Sequence, residues 1–451
     1  MIKKKVFWFT VFSMLTGFII TASVQAGPRI EFGEDGGYIQ LDLKLQVYIE
    51  NADIGSGPTG TDSRTDIHFQ RNRLSLTGML DDIWGMKFQT CGNTSTTKAP
   101  LGFFYSQPND WNDRDIRIID SYVIGNFTEA VNMKLGLTKI PLTRANLDDC
   151  FAPLSLDRSM FVYTPNGGSP AKFSRDMGLV FWGGFVDDKL KYWIAAMEGR
   201  EGVFKWTLPG QVGLPLDPAT SYISTPEPKS SLQYTTRVHY SFLDAEPGSG
   251  YVGTYFGKKK ILTIGAGASY EPDAVYKNVA QTTPVFTNTT PTDQETADYW
   301  AYAADLMYEY PYSFGTVTLN GQYLKIDFDD AYKTNMNGAD RNTIIAGPMG
   351  QKQGGFVKLA YMLPGKIGKE GRLQPYAFYE RWLFAHLLGV NEQRVEQTGV
   401  GINYYIKEQN VRTTLEYLDT EFDTETTLFG ITDGSKVKDL RTVRFMFQIM
   451  I

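Results

Sequence analysis

The chain contains long stretches in which apolar and polar residues alternate. From Ile39 to Ile49 the sequence reads IQLDLKLQVYI, and every second residue is apolar. Successive side chains of a β-strand point to opposite faces, so this pattern predicts a strand with one apolar and one polar face. Its eleven residues exceed an ordinary strand and match the length of a tilted strand that crosses a membrane.

Similar segments recur along the whole chain, and the chain ends on one of them. The final segment, Val443 to Ile451, reads VRFMFQIMI and places five apolar residues on one face. An exposed apolar strand at a sheet edge invites aggregation, whereas a closed barrel has no edge. The pattern therefore favours a closed barrel.

The connections between these segments alternate between long and short. Eight long gaps fall at about 51–65, 92–114, 140–175, 199–230, 271–296, 329–352, 384–394 and 422–438. Of the seven short connections between them, one near 244–259 is longer than the others and contains EPGSG. This alternation is typical of bacterial outer-membrane barrels, with both termini on the short-turn side. The predicted fold class is all-β: a transmembrane antiparallel β-barrel of about sixteen strands. A soluble sandwich or propeller does not explain the alternation.

Composition adds an export signal and excludes one class of function. Of 451 residues, 42% are hydrophobic, and the mean hydropathy is -0.26. Three lysines at positions 3–5, an apolar region from about Val6 to Ala22 and small residues before position 27 predict a signal peptide over residues 1–26. The barrel domain is then residues 27–451. Loss of the three lysines takes the formal charge from -6 to -9, too acidic for a nucleic-acid binder.

A barrel of sixteen strands leaves an aqueous channel, so function is sought among inward-facing residues. Strand parity predicts ten interior cations: Lys44, Arg71, Arg73, Lys87, Arg117, Lys134, Arg237, Lys358, Arg412 and Arg444. It predicts five interior carboxylates: Asp42, Asp305, Glu309, Glu380 and Glu416. A wall with this surplus of cations would concentrate anions. The alternative is a set of scattered, solvated charges with no selective role.

The longest predicted loop, 140–175, follows the fifth strand and is long enough to fold inward as a constriction. Its charged candidates for the constriction are Arg144, Asp148, Asp149, Asp157, Arg158, Lys172 and Arg175, and its aromatic candidates are Phe151, Phe161 and Tyr163. Packing of the loop against the wall, away from any solute, is the alternative. In an exported protein Cys91 and Cys150 are also candidates for a disulfide, which would pin the loop, although two free thiols remain possible.

Several segments resemble the O/P-type phosphate-selective porin family of Gram-negative outer membranes. The similar segments are RNRLSLTGMLDDIWGMKFQ, TKIPLTRANL, SLDRSMF, SRDMGLVFWG, GGFVKLAYMLPGK, RLQPYAFYERW and GINYYIKEQNVRTTLEYL. The resemblance implies a homotrimeric sixteen-strand channel in the outer membrane, with inward arginines and lysines that guide anions such as phosphate past a constricting third loop. The net negative charge and the pair Asp148-Asp149 depart from the family's pattern.

Two other classes of function remain as alternatives. Some barrels of this kind are hydrolases, but His68, His239 and His386 lie in no catalytic motif, so we expect no enzyme activity. No sequence pattern indicates a cofactor or a metal site. A barrel could also serve as a sheath for a partner protein, such as an electron-transfer cytochrome, and the sequence does not exclude this.

Overall fold

The computed structural model describes residues 27–92, 116–159, 161–162, 175–199, 231–276, 295–329, 350–428 and 431–451. It confirms the predicted fold, an antiparallel β-barrel of sixteen strands that closes on itself. The predicted signal peptide and the loop residues Tyr163 and Lys172 lie outside the described residues. No helix in the described ranges is long and apolar enough to span a membrane.

The described part of the chain contains nineteen strands and one helical turn, α1. The strands are β1 (Arg29–Phe32), β2 (Gly37–Ser56), β3 (Asp62–Met79), β4 (Trp84–Gly92), β5 (Arg117–Asn126), β6 (Asn132–Lys139), β7 (Arg175–Phe185), β8 (Leu190–Met197), β9 (Gln233–Ser241), β10 (Ile261–Tyr276), β11 (Thr296–Tyr312), β12 (Gly315–Asp327), β13 (Lys352–Met362), β14 (Arg372–Phe384), β15 (His386–Leu387), β16 (Val390–Asn391), β17 (Arg394–Lys407), β18 (Val411–Thr426) and β19 (Val437–Met450), and α1 spans Arg144–Leu147.

Sixteen of these strands, β2–β14 and β17–β19, form the barrel. Each pairs with the next along the chain, and β19 pairs with β2, with Phe445 opposite Ile49. The short strand β1 folds back on β2, while β15 and β16 form a small hairpin in the connection between β14 and β17. Ring closure satisfies every strand edge, as a membrane barrel requires.

The barrel has one end with long loops and one end with short turns, as the alternation of gap lengths predicts. Three long loops are clearly shorter than expected, because β2 continues to Ser56 before β3 begins at Asp62, β10 continues to Tyr276, and β18 continues to Thr426. Several of the extra pairs, such as Asn51 with Thr65, are polar. Ladder hydrogen bonds join backbone groups, so a strand continues where the apolar alternation has stopped.

Apolar side chains point outward along the strands and polar side chains point inward. In β2, Ile39, Leu43 and Ile49 are exposed on the outer face, whereas Gln46 and Glu50 are buried inside. This inverts the arrangement of a soluble protein and gives the barrel an apolar outer surface for lipid and a polar interior.

Aromatic side chains form two outward groups on β11 and its neighbours. Near the long loops, Trp300 packs against Tyr270 with ring centroids 4.2 Å apart. Near the short turns, Tyr312 stacks on Phe314 at 5.1 Å. The twelve residue-to-residue steps from Trp300 to Tyr312, at about 3.4 Å per step and a tilt of about 40°, cover roughly 30 Å. The two groups therefore fit aromatic girdles at the edges of a bilayer.

Candidate functional site

The structure places the predicted interior charges on the inner wall, with changes of parity at bulges in β3 and in β5, where the bulge precedes Asp120 and follows Arg117. In β3 both His68 and Arg71 face the interior, although they are three residues apart. The neighbouring residues Gln46 and Val47 of β2 pair with Arg71 and Phe69, so Gln70 is an extra, bulged residue between them. A bulge of this kind shifts all later side chains to the opposite face.

Several predicted interior cations are bound to carboxylates. Arg237 forms a bidentate pair with Asp305, at 2.6 and 2.9 Å, and neither side chain is exposed. Arg444 pairs with Glu416. Buried pairs of this kind cancel charge and fix side chains, so these cations contribute little to the field in the channel.

Arg175 differs from its predicted place in the constriction loop. It is the first residue of β7, and its Nε donates to Asp120 of β5 at 2.9 Å. The loop therefore ends one residue earlier than predicted, because the strand begins among polar residues, where the apolar alternation gives no signal.

The third loop folds into the barrel, as predicted, and two types of polar contact hold it there. Ion pairs join Asp149 to Lys44 at 3.1 Å and Asp157 to Arg71 at 2.8 Å. Backbone carbonyls of the loop accept hydrogen bonds from the wall, as Pro153 does from Arg412 at 2.9 Å. The described loop residues are mostly buried, so the loop is a packed element of the interior.

Local sequence explains how the loop turns inward. Thr143 accepts a hydrogen bond from the backbone N–H of Asn146 and caps α1, a single helical turn. Arg158 donates to the carbonyl of Ala145 at 2.9 Å, which braces the two arms of the loop against each other. Arg144 leaves α1 toward the centre of the barrel and is 1% exposed.

Burial and neighbouring charges set the protonation of the loop carboxyls. Burial alone would raise the pKa of Asp149, but Lys44 and the backbone N–H of Phe151 hold that pKa below its usual range. Burial raises the pKa of Asp148, with Arg144 and Arg158 opposing it. The pKa values of the two adjacent carboxyls are therefore shifted in opposite directions, and Asp149 is the one held as an anion.

A second segment enters the interior from the opposite end. The connection between β9 and β10, residues 242–260, which we call the mouth turn, forms a parallel bridge to the loop between Tyr251 and Asp148. Arg144 binds Glu246 of this turn through two contacts of 2.8 and 2.5 Å. The sequence showed an unusually long turn here but not that it folds inward.

Inward side chains differ in burial around the barrel. Some on β2, β4, β5 and β6 are half-buried, namely Lys44, Lys87, Tyr122 and Lys134, although others on these strands, such as Gln46 and Asp120, are buried. Most inward side chains on β9–β14 and β17–β19 are buried beneath the loop and the mouth turn. This uneven burial favours an off-centre passage on the side of the half-buried residues.

The two cysteines are separate thiols in the structure. Cys91 is half-buried on β4, and Cys150 is buried in the loop. The guanidinium of Arg73 lies near both sulfurs. Burial alone would raise the pKa of Cys150, but Arg73 and Arg158 lower it to about 6.

The histidines occupy structural positions. His239 shares a 2.6 Å hydrogen bond with Tyr251 of the mouth turn, and His386 contacts Asn391 at 2.8 Å. Within the described ranges, no group of three or more His, Cys, Asp or Glu side chains could hold a metal ion.

Sequence reasoning missed several interior charges. They are Glu50, Asp120, Lys139, Asp176, Lys191, Glu246, Glu271 and Lys352. Most lie near strand ends or in the mouth turn, where the apolar alternation is weak, although strict parity along β2 would have found Glu50.

Comparison with known proteins supports the fold. No family model matches the chain. An uncharacterized protein of Aquifex aeolicus (strain VF5) is 21% identical over 382 residues, which cover 83% of this chain and 80% of that protein. The anion-selective porin from Comamonas acidovorans has a TM-score of 0.51 and 11% identity, over 92% of this chain and 100% of the porin. The outer-membrane channel DcaP of Acinetobacter baumannii has a TM-score of 0.50 and 14% identity, over 94% of this chain and 100% of that channel. The likeness to these structures is one of fold.

Proposed function

We propose that the protein is an outer-membrane porin, a passive diffusion channel for small hydrophilic solutes with a weak preference for anions. The observation that carries this proposal is the half-buried side of the lumen, where Lys44, Lys87 and Lys134 lie along a wall of β2, β4 and β6. A charged passage between low-dielectric walls concentrates counter-ions.

The lysines of this wall differ in how far their charge is compensated. Lys87 has no ion-pair partner among the described residues, and Lys134 donates to Ser249 at 2.8 Å, a neutral acceptor. Lys44 is paired with Asp149, whose side chain is 37% exposed. Asp42, also half-buried, adds a second carboxylate. The net effect is a weak preference for anions that still admits neutral molecules.

The narrower proposal is passage of phosphate or another oxyanion. It rests on the resemblance of segments such as RNRLSLTGMLDDIWGMKFQ to the phosphate-selective porins, and on the name of the Comamonas structure, an anion-selective porin.

The proposal also includes export and assembly. Residues 1–26 are a cleaved export signal, the barrel sits in outer-membrane lipid, and three copies assemble. Conversion by heat of a compact gel species to monomer would test the trimer.

Reversal potentials in planar bilayers under a salt gradient test the selectivity. We expect an anion preference that high salt reduces, because the Debye length is about 10 Å at 0.1 M. Lys87→Gln combined with Lys134→Gln should lower the anion-to-cation permeability ratio by about twofold. Lys325→Gln is the matched control, since Lys325 lies on the outer face and pairs with Asp327. A cation preference in the unmodified protein would refute the proposed preference for anions.

The sheath alternative has no observation in its favour. The centre of the barrel, where a partner would have to sit, holds the third loop and the mouth turn, joined through Arg144 and Glu246. A protein inserted there would have to break these buried contacts.

The disulfide remains a proposal. Cys91 and Cys150 are separate thiols here, with Arg73 near both, so pairing requires movement of that arginine. Mass spectrometry of the unreduced, exported protein distinguishes a cross-linked pair from two free thiols.

A further inference from the structure

The mouth turn is much longer than the other connections at its end of the barrel. It contains nineteen residues between Ser241 and Ile261, whereas the other six connections contain between two and nine. A turn that only joins two antiparallel strands needs about two to five residues. The additional length therefore has another use.

The mouth turn runs from one side of the barrel opening to the other. On one side, Lys191 of β8 donates to the carbonyl of Glu246 at 2.6 Å. On the far side, the ring of Phe256 lies 4.9 Å from that of Tyr405 on β17. The segment thus crosses the opening and does not hang below it.

The inserted position of the mouth turn is specified by buried polar contacts. The carboxylate of Glu309 accepts hydrogen bonds from the backbone N–H groups of Tyr255 and Gly257, at 2.8–3.0 Å. Tyr251 is bonded through its hydroxyl to His239 at 2.6 Å and to Arg237 at 3.2 Å. Buried polar groups left without partners are costly, so these contacts favour one arrangement.

The mouth turn and the third loop also share backbone hydrogen bonds. Asp149 donates to the carbonyl of Tyr251 at 3.0 Å, and Gly253 donates to the carbonyl of Ala152 at 2.7 Å. The approach is close enough that a Cβ on Gly253 would lie 2.1 Å from the backbone nitrogen of Leu154. The two segments pack as one body.

We propose that the mouth turn is a second constriction of the channel, which acts with the third loop as a single two-part plug and sets the conductance and the size limit for solutes. The inference rests on the proposed porin function. The third loop narrows the lumen from the long-loop end, and the mouth turn narrows it from the short-turn end. The contact between Arg144 and Glu246 joins the two parts. Over both segments, solutes are then confined to the side of the lumen with half-buried side chains.

The first experiment shortens the mouth turn. The backbones of Asp244 and Lys260 are already hydrogen-bonded at 2.9 Å, so residues 245–259 can be replaced by Asn-Gly, a favoured hairpin turn. We expect the single-channel conductance in planar bilayers to rise by about twofold or more, because one of two constrictions is gone. The matched control replaces residues 366–370 by Asn-Gly, in an exposed turn at the same end of the barrel.

The second experiment separates the two segments without removing either. Gly253→Ala places a methyl group against the backbone of Leu154 and should raise conductance, by less than the shortened turn does. Gly250→Ala is the milder comparison in the same turn, because its Cβ would meet its nearest atom, the carbonyl oxygen of Leu147, at 3.3 Å, and it should change conductance less than Gly253→Ala. Heat-modified migration on gels shows whether each variant has formed the barrel.

The outcomes separate this inference from the proposed function. If the unmodified protein conducts and neither folded variant exceeds it, the second constriction is refuted and the porin function stands. If neither the unmodified protein nor the variants conduct, both are refuted. Conductance only after shortening would support the inference in its strongest form, a mouth turn that seals the barrel.

Discussion

At the scale of single residues, the interior cations have two different roles. Arg71 and Arg237 are bound to carboxylates and hold the interior together, whereas Lys87 and Lys134 have no carboxylate partner among the described residues. Residue type and parity alone do not separate the two groups, because the partner of each arginine lies far away in sequence.

Arg71→Met should loosen the third loop more than it changes selectivity. The substitution leaves Asp157 buried without its guanidinium, and breaking such a pair costs about 3–5 kcal/mol. Protease cleavage near Arg158 in the folded barrel should therefore increase. A variant that also carries Asp157→Leu should recover much of the protection, because an apolar pair of similar volume is tolerated. Equal cleavage in all three proteins would contradict the anchoring role.

The contact between Arg144 and Glu246 should survive mild acid. Burial would raise the pKa of Glu246, but Arg144 lowers it from the usual 4.5 to about 2. A carboxyl whose pKa is lower in the folded state contributes stability above its unfolded pKa and loses it as pH falls toward the folded value. Conductance should thus stay constant from pH 7 to about 4.5 and rise only on approach to pH 2. Glu246→Gln should lack this transition, and a rise complete by pH 4 in the unmodified protein would argue against the pair.

At the scale of elements, the strands were predictable and the interior segments were only partly so. The alternation of apolar and polar residues along β2 and β19 predicts which face of each strand contacts lipid, because lipid contacts every second side chain and favours apolar ones. The loop around Asp149 and the mouth turn around Tyr251 follow no period, and their contacts join segments about a hundred residues apart. Excess length was the one signal that marked both.

Phe161→Ala should release the far end of the third loop. Phe161 is fully buried, with its ring 5.1 Å from Phe384 and 6.2 Å from Trp382. Loss of a buried phenylalanine costs about 3–5 kcal/mol, and the barrel ladder does not depend on this side chain. Single-channel recordings should show greater current noise while heat-modified migration is unchanged. The control is Phe185→Ala on the exposed outer face, which should leave the current as quiet as in the unmodified protein.

At the scale of the whole molecule, the arrangement of the ends determines how the barrel sits in the membrane. The first described residues, near Gly27, and the last strand, β19, meet at the short-turn end, where the carbonyl of Ile451 accepts from the backbone N–H of Leu43 at 2.8 Å. In outer-membrane barrels short turns face the periplasm and long loops face outward. The mouth turn would then be the periplasmic half of the plug, and the third loop the external half.

Epitope tags test this orientation on intact cells. A tag inserted between Gly57 and Gly60, in the loop joining β2 and β3, should bind antibody without permeabilisation, because this loop lies at the long-loop end. A tag between Asp187 and Lys189, in the turn joining β7 and β8, should bind only after the outer membrane is opened. Both connections lie outside the ladder, and Gly57-Pro58 and Asp187-Asp188 within them are exposed, so the insertions should leave the barrel intact. The opposite accessibility would show that the barrel has the inverse orientation in the membrane. Solutes entering from outside would then meet the mouth turn before the third loop.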